Sequence, residues 1–182
     1  MVLNNKQQQF CIYFPSNFFY KEVQDKWNPI VDKMRLPYQD VTDFMNAQIQ
    51  SVEFPGVNMD LIIQQREQYE YAQPNGKELE NLIDKNLTIT FKLTESYISY
   101  WILFNQIDLY MHYKRGDEER KPIWMEPIQM SFLTDAGFEL TKFTFHQITP
   151  INLTQLKMSY AATVASYNTF SWTLHYNAFD ID

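Results

Sequence analysis

The stretch from Leu140 to Phe179 constrains this chain more than any other. It holds three runs in which apolar and polar residues alternate. Phe143 and Phe145 alternate with Lys142, Thr144 and His146. Leu156, Met158 and Tyr160 alternate with Gln155, Lys157 and Ser159. Phe170, Trp172, Leu174 and Tyr176 alternate with Ser171, Thr173, His175 and Asn177. A period of two puts each apolar set on one face of a strand, so these side chains are the expected core of a C-terminal sheet. Thr149-Pro150 separates the first two runs, because proline cannot donate to a strand ladder. Ala165-Ser166-Tyr167-Asn168 offers a turn before the last run. The expectation is an antiparallel sheet in sequential order that the rest of the chain must cover.

The preceding residues supply the cover. Residues 1–9 form a polar arm, and 10–14 a short strand. Ser16 or Asn17 is the expected cap of a helix with Phe19, Val23, Trp27 and Ile30 on one side, ended or bent at Pro29. A second short helix starts at Asp40, with Val41, Phe44 and Met45 on one face. Residues 49–54 read as a strand. Residues 58–72 fit a strand pair or a helix, and Pro74-Asn75-Gly76 is a turn. Alternation from Leu87 to Leu93 predicts a strand over 86–93. The best helix spans 96–113, capped by Thr94 or Ser96, with an apolar stripe of Tyr97, Tyr100, Trp101, Phe104, Ile107 and Met111. Asn105, Gln106, Asp108 and His112 interrupt it, so membrane insertion is not expected. Residues 114–122 read as a solvated loop. Ile128, Met130 and Phe132 mark a strand, and Asp135-Ala136-Gly137 turns the chain into the C-terminal sheet. The predicted fold class is therefore mainly β with flanking helices (α+β).

Charge and chemistry narrow the function. The net charge is −7 over 182 residues, which argues against gripping a phosphate backbone over a large surface. Cys11 is the only cysteine, so no internal disulfide and no multi-cysteine metal site can form; it reads as a small buried residue. His146 and His175 both fall on polar strand faces. A metal site needs a third ligand at matched geometry, so two solvent-facing residues are the simpler reading. The pattern contains no nucleophile elbow, phosphate loop, dinucleotide fingerprint or zinc-protease helix. No catalysis and no cofactor are expected.

The order of these elements is familiar. The run from Phe143 to Ile181, with Pro150, Leu153, Leu156, Ser159, Tyr160, Leu174 and Tyr176, resembles the end of bacteriophage tail-tube proteins, and Ile49 to Ile62 resembles their first core strand and turn. The resemblance implies an antiparallel β-sandwich or partial barrel over residues 49–182, with 1–48 as an N-terminal arm and helical addition. It implies hexameric rings whose strands join into one barrel around a channel. The partners it implies are further copies and adjacent phage tail proteins, with DNA passing through unbound. The location would be the virion tail, and the host cytoplasm during assembly. The extra N-terminal helices leave room for a specialised hub, terminator or baseplate ring.

Segment 60–84 gains interest in that light. It carries Asp60, Glu67, Glu70, Glu78, Glu80 and Asp84 against Arg66 and Lys77, a local charge of −4. It is either a solvated hairpin or, as the resemblance implies, part of an acidic channel wall lined by Glu67, Glu70, Glu78 and Glu80. A different class stays open beside this one: a β-sandwich binding module that uses exposed aromatics to hold a glycan or a host surface.

Overall fold

Strand β1 covers Phe10–Tyr13, where Phe10, Ile12 and Tyr13 favour extended backbone. The structure is a computed structural model that describes residues 10–34, 37–56, 61–66, 69–74, 83–114, 124–134, 136–156 and 168–182. Helix α1 spans Lys21–Lys33, later than the predicted cap. The intervening residues 14–20 form no helix. The amide of Gln24 closes the helix start instead, donating to the carbonyls of Ser16 (2.8 Å) and Phe19 (3.0 Å). Pro29 lies inside α1 and does not end it. It sits on the exposed side together with Asp25, one turn earlier, so the carbonyl that loses its donor can turn to water. Helix α2 spans Val41–Ala47, and Asp40 caps it as expected: its carboxylate accepts from the Asp43 N–H at 2.8 Å. Asn28 joins the two helices by accepting from the Val41 N–H at 3.0 Å.

Strand β2 (Ile49–Glu53) leads toward Pro55. Residues 58–72 fit a strand pair or a helix, and their described parts, 61–66 and 69–72, are extended. Strand β3 (Leu61–Arg66) pairs antiparallel with β4 (Tyr69–Pro74), from Leu61 opposite Pro74 to Arg66 opposite Tyr69. Strand β5 (Asn86–Lys92) follows. A turn of 3-10 helix at Glu95–Tyr97 then opens α3, Ile98–Lys114. Of the two candidate caps, Thr94 acts: its hydroxyl accepts from the Ser99 N–H at 3.2 Å.

The expected stripe on α3 is corrected. Ile98, Ile102, Leu103, Gln106 and Tyr110 are buried, whereas Trp101, Phe104 and Met111 are exposed. The helix is apolar nearly all round, so periodicity alone does not choose its inner face. Gln106 does: it is fully buried, accepts from the Tyr20 N–H at 3.0 Å and donates to the Phe18 carbonyl at 3.1 Å.

The remaining strands are β6 (Ile128–Leu133), β7 (Glu139–His146), β8 (Thr149–Leu153), β9 (Thr169–His175) and β10 (Ala178–Ile181). Gly137, at φ 82°, turns β6 into β7. Among the described residues the strands form a first sheet in the order β1-β6-β7-β10, a second in the order β2-β5-β9-β8, and the β3-β4 pair. The single C-terminal sheet in sequential order is thus corrected. The chain leaves the first sheet after β7 and joins the second at β8. It returns between β9 and β10, where the Asn177 N–H donates to the His146 carbonyl at 3.2 Å. Pro150 is not a break but part of β8. As β8 is an edge strand with a register irregularity between Pro150 and Asn152, the missing N–H costs no ladder bond in the sheet interior.

Both sheets share one core. Phe91 stacks on Phe14 and Phe170, Trp172 meets Phe18 edge-on, and Phe145 packs on Tyr176 at 4.9 Å. Val23, Val31, Val41, Phe44 and Met45 of the N-terminal helices belong to the same cluster. The architecture is mostly antiparallel β with three α-helices among the described residues, the α+β class read from the sequence.

Candidate assembly surface

Phe145, Phe170, Trp172, Leu174 and Tyr176 are buried, and Phe143 is half-buried beneath Phe54, its ring 4.9 Å away. Leu156 is half-buried and lies beyond the end of β8, itself in no strand. Met158 and Tyr160 lie outside the described residues, as do Glu67, Glu78 and Glu80 and the predicted turn at 75–76. Glu70 is in β4, opposite Gln65. Asp84 is exposed and accepts from the Asn86 N–H at 3.1 Å.

The two strand histidines belong to different sheets. His146 on β7 lies 3.0 Å from the Asp180 carboxylate on β10, and His175 on β9 lies 3.5 Å from the Asn86 side-chain oxygen. Among the described residues no group of three or more His, Cys, Asp or Glu could hold a metal ion, and no helix is long and apolar enough to cross a membrane. Cys11, expected to be buried, is exposed on β1. Its neighbour Ile12 carries the inward direction of that strand, so the alternation placed Cys11 outside.

The outer face of the second sheet is polar. Thr88 and Thr173 join hydroxyls at 3.3 Å, Thr90 and Ser171 at 3.0 Å, and the Thr154 hydroxyl accepts from the Ser171 N–H at 2.8 Å. The edges of this sheet, β2 and β8, are both irregular, with register shifts at Ile49/Ser51 and Pro150/Asn152. The edges of the first sheet differ. Strands β1 and β10 each have four residues and run in unbroken register with their inner neighbours. Exposed apolar side chains occur on edges of both sheets: Tyr13 at 49% and Ile181 at 59% on the first, Ile151 at 55% on β8 of the second. Sequence reasoning missed the contrast in register, because bulges depend on strand pairing that periodicity does not reveal.

Tyr176 stands where the chain passes between the sheets. Its hydroxyl donates to the Asp84 carbonyl at 3.0 Å, and its own N–H donates to the Lys85 carbonyl. Burial, with a smaller contribution from the Asp84 carboxylate, pushes its pKa up to about 12. The unfolded phenol ionises near pH 10. The stability this phenol contributes is therefore complete below pH 10 and is lost as pH rises toward 12. A two-unit difference corresponds to about 2–3 kcal/mol. Tyr176→Phe should lose about 1 kcal/mol at pH 7 through the missing hydrogen bond. It should then destabilise less than the parent between pH 10 and 12. Urea melts of both proteins at pH 7, 10 and 11.5 measure this, and parallel curves would contradict it.

No protein-family model matches the chain, and no curated protein matches it. Solved structures do. A chain of the anti-feeding prophage (AFP) baseplate, 6-fold symmetrised, matches with TM-score 0.53 at 10% identity, over 100% of this chain and 97% of that one. A chain of the anti-feeding prophage cap (AFP tube terminating cap) matches with TM-score 0.51 at 12% identity, over 100% and 93%. At these identities the likeness is one of fold, and it extends over the whole length of the chain. The chain shares its fold with these cap and baseplate chains.

Proposed function

We propose that this chain, having the fold of tail-particle components, is a structural subunit that closes into a hexameric ring of a tail tube or tube-like hub. The ring is a passive conduit and performs no catalysis. The observation that carries this reading is the match of fold from end to end with chains of a tube-terminating cap and a baseplate. The six-fold symmetry of that baseplate supports six copies. Cap and baseplate also favour a specialised ring at one end of a tail over the repeating tube. In that case residues 1–48, whose described part supplies β1 of the first sheet and fills the common core, adapt the β domain over 49–182 to its place. Negative-stain microscopy of the purified protein should reveal rings or tubes. A strict monomer by light scattering at high concentration would count against the proposal.

The conduit reading extends to the acidic segment. Glu67, Glu70, Glu78 and Glu80 line a wall that a nucleic acid passes without binding, because like charge keeps the polymer off the surface. Screening limits that repulsion to about 8–10 Å at physiological salt. The double substitution Glu67→Lys with Glu70→Lys should leave rings intact but slow DNA release, most at low salt, since neutralised phosphates release counterions and bind. Unchanged release at every salt concentration would make the segment an exterior hairpin.

A further inference from the structure

The first sheet loses its cover toward one end. Its pairing sets the inward-facing side chains in rows across the strands. In one row Ile128 and Phe145 are fully buried. In the next, Ile12 and Met130 are still buried, Phe143 is half-buried, and Ile181 is 59% exposed. In the last, Phe10, Phe132 and Thr141 are all half-buried. Phe54, which follows β2, reaches over this end from the second sheet. Its ring lies 4.9 Å from that of Phe143 and 5.8 Å from that of Phe132, and it is itself 43% exposed. Phe10, Phe54, Phe132, Phe143 and Ile181 thus form a contiguous apolar ledge. Single exposed apolar residues are common on protein surfaces, whereas a contiguous group marks a place that something covers.

We propose that the N-terminal arm of the same chain folds back over this ledge, setting Val2 and Leu3 against Phe54 and Ile181. This goes beyond the ring reading and does not rest on it. Residues 1–9 lie outside the described residues. Their place of attachment, their length and their composition each favour them as the cover.

The arm joins the fold at Phe10, which is part of the ledge. Docking there closes only a short loop, so its entropic cost is small. Leu3 precedes Phe10 by seven residues, an extended reach of about 23 Å. Crossing from β1 to β10 takes three strand spacings, about 14 Å in all. The surplus lets the chain turn back over β6 and β7 and still arrive at Ile181. Met1, Val2 and Leu3 are consecutive and apolar, and every residue from Asn4 to Gln9 is polar. A polar tether with an apolar tip fits a ledge that is most exposed on its far strand, at Ile181. An arm extended into solvent would leave both tip and ledge in water.

Alkylation of a cysteine placed on the ledge tests the cover. In a Cys11→Ser background, Ile181→Cys should react with iodoacetamide several-fold more slowly than Ile151→Cys. Ile151, on β8 of the second sheet, is 55% exposed and so nearly matches Ile181. Adding Val2→Asp and Leu3→Asp should release the arm, speeding the reaction at position 181 several-fold and leaving that at 151 unchanged. The protection should persist on dilution, because arm and ledge belong to one chain. Phe54→Cys in the same background gives the same reading from the other sheet if Ile181→Cys disturbs β10. Equal rates at 181 and 151 with the unaltered arm overturn the proposal. Protection that survives both aspartates also overturns it, since another segment then covers the ledge. Protection that vanishes on dilution assigns the cover to a second copy and excludes the arm of the same chain.

Discussion

Trp172→Ala is expected to lower the unfolding free energy by about 3–5 kcal/mol, the range of large aromatic-to-alanine changes in closed cores. Trp172 has no exposed surface. It sits in the middle of β9, between Ile89 of β5 and Leu153 of β8, and its ring meets Phe18 edge-on at 6.0 Å. Its removal would open a cavity bounded by two ladders and the segment before α1, and paired strands cannot collapse into it without losing ladder bonds. The indole also has a cost of its own. Its Nε1 is buried and finds no acceptor among the described residues. Trp172→Phe keeps the edge-on aromatic contact and removes that N–H, so it should cost clearly less than alanine. Urea denaturation of the three proteins measures both steps. An alanine variant as stable as the parent would mean that the two sheets do not close over this residue.

This residue also shows what a sequence reveals about such a fold. Strict alternation identified β5 and β9 and their inner faces. The structure then pairs Leu87 with Leu174, Ile89 with Trp172 and Phe91 with Phe170, all buried. The Asp40 cap was equally legible, because capping is local chemistry. Alternation reports a face and not a neighbour, however. The run at 143–145 looked like part of one sheet with the run at 170–176, yet β7 and β9 belong to different sheets. The crossover passes through Gln147 at φ 54°, a left-handed position with neither the glycine nor the asparagine that usually marks one. The β3-β4 pair was legible only as one of two alternatives, since Arg66-Glu67-Gln68-Tyr69 contains no turn-forming residue. Edge regularity exists only once strands are paired.

The face of α3 was the other illegible feature, and a single side chain governs it. Gln106→Leu nearly preserves volume, but it takes from the Tyr20 N–H its acceptor and from the Phe18 carbonyl its donor. A buried backbone group that loses its partner costs about 1–3 kcal/mol. The Phe18 carbonyl is such a group and the Tyr20 N–H is half-buried, so the expected loss is about 1–3 kcal/mol. Because that segment places Phe18 against Trp172 and Phe14, the loss should be accompanied by a changed near-ultraviolet signal from aromatic packing. Gln106→Glu separates polarity from shape. At neutral pH its carboxylate can still accept from Tyr20 but faces the Phe18 carbonyl without a proton to donate. Once protonated it can do both. Gln106→Glu should therefore be destabilised at pH 7 and recover relative to the parent as pH falls through the carboxylate range. Gln106→Leu should show no such recovery. A leucine variant that melts with the parent would mean that α3 is positioned by apolar contacts alone, and that the exposed face of Trp101, Phe104 and Met111 is exposed for some reason other than the hold of Gln106 on the opposite side.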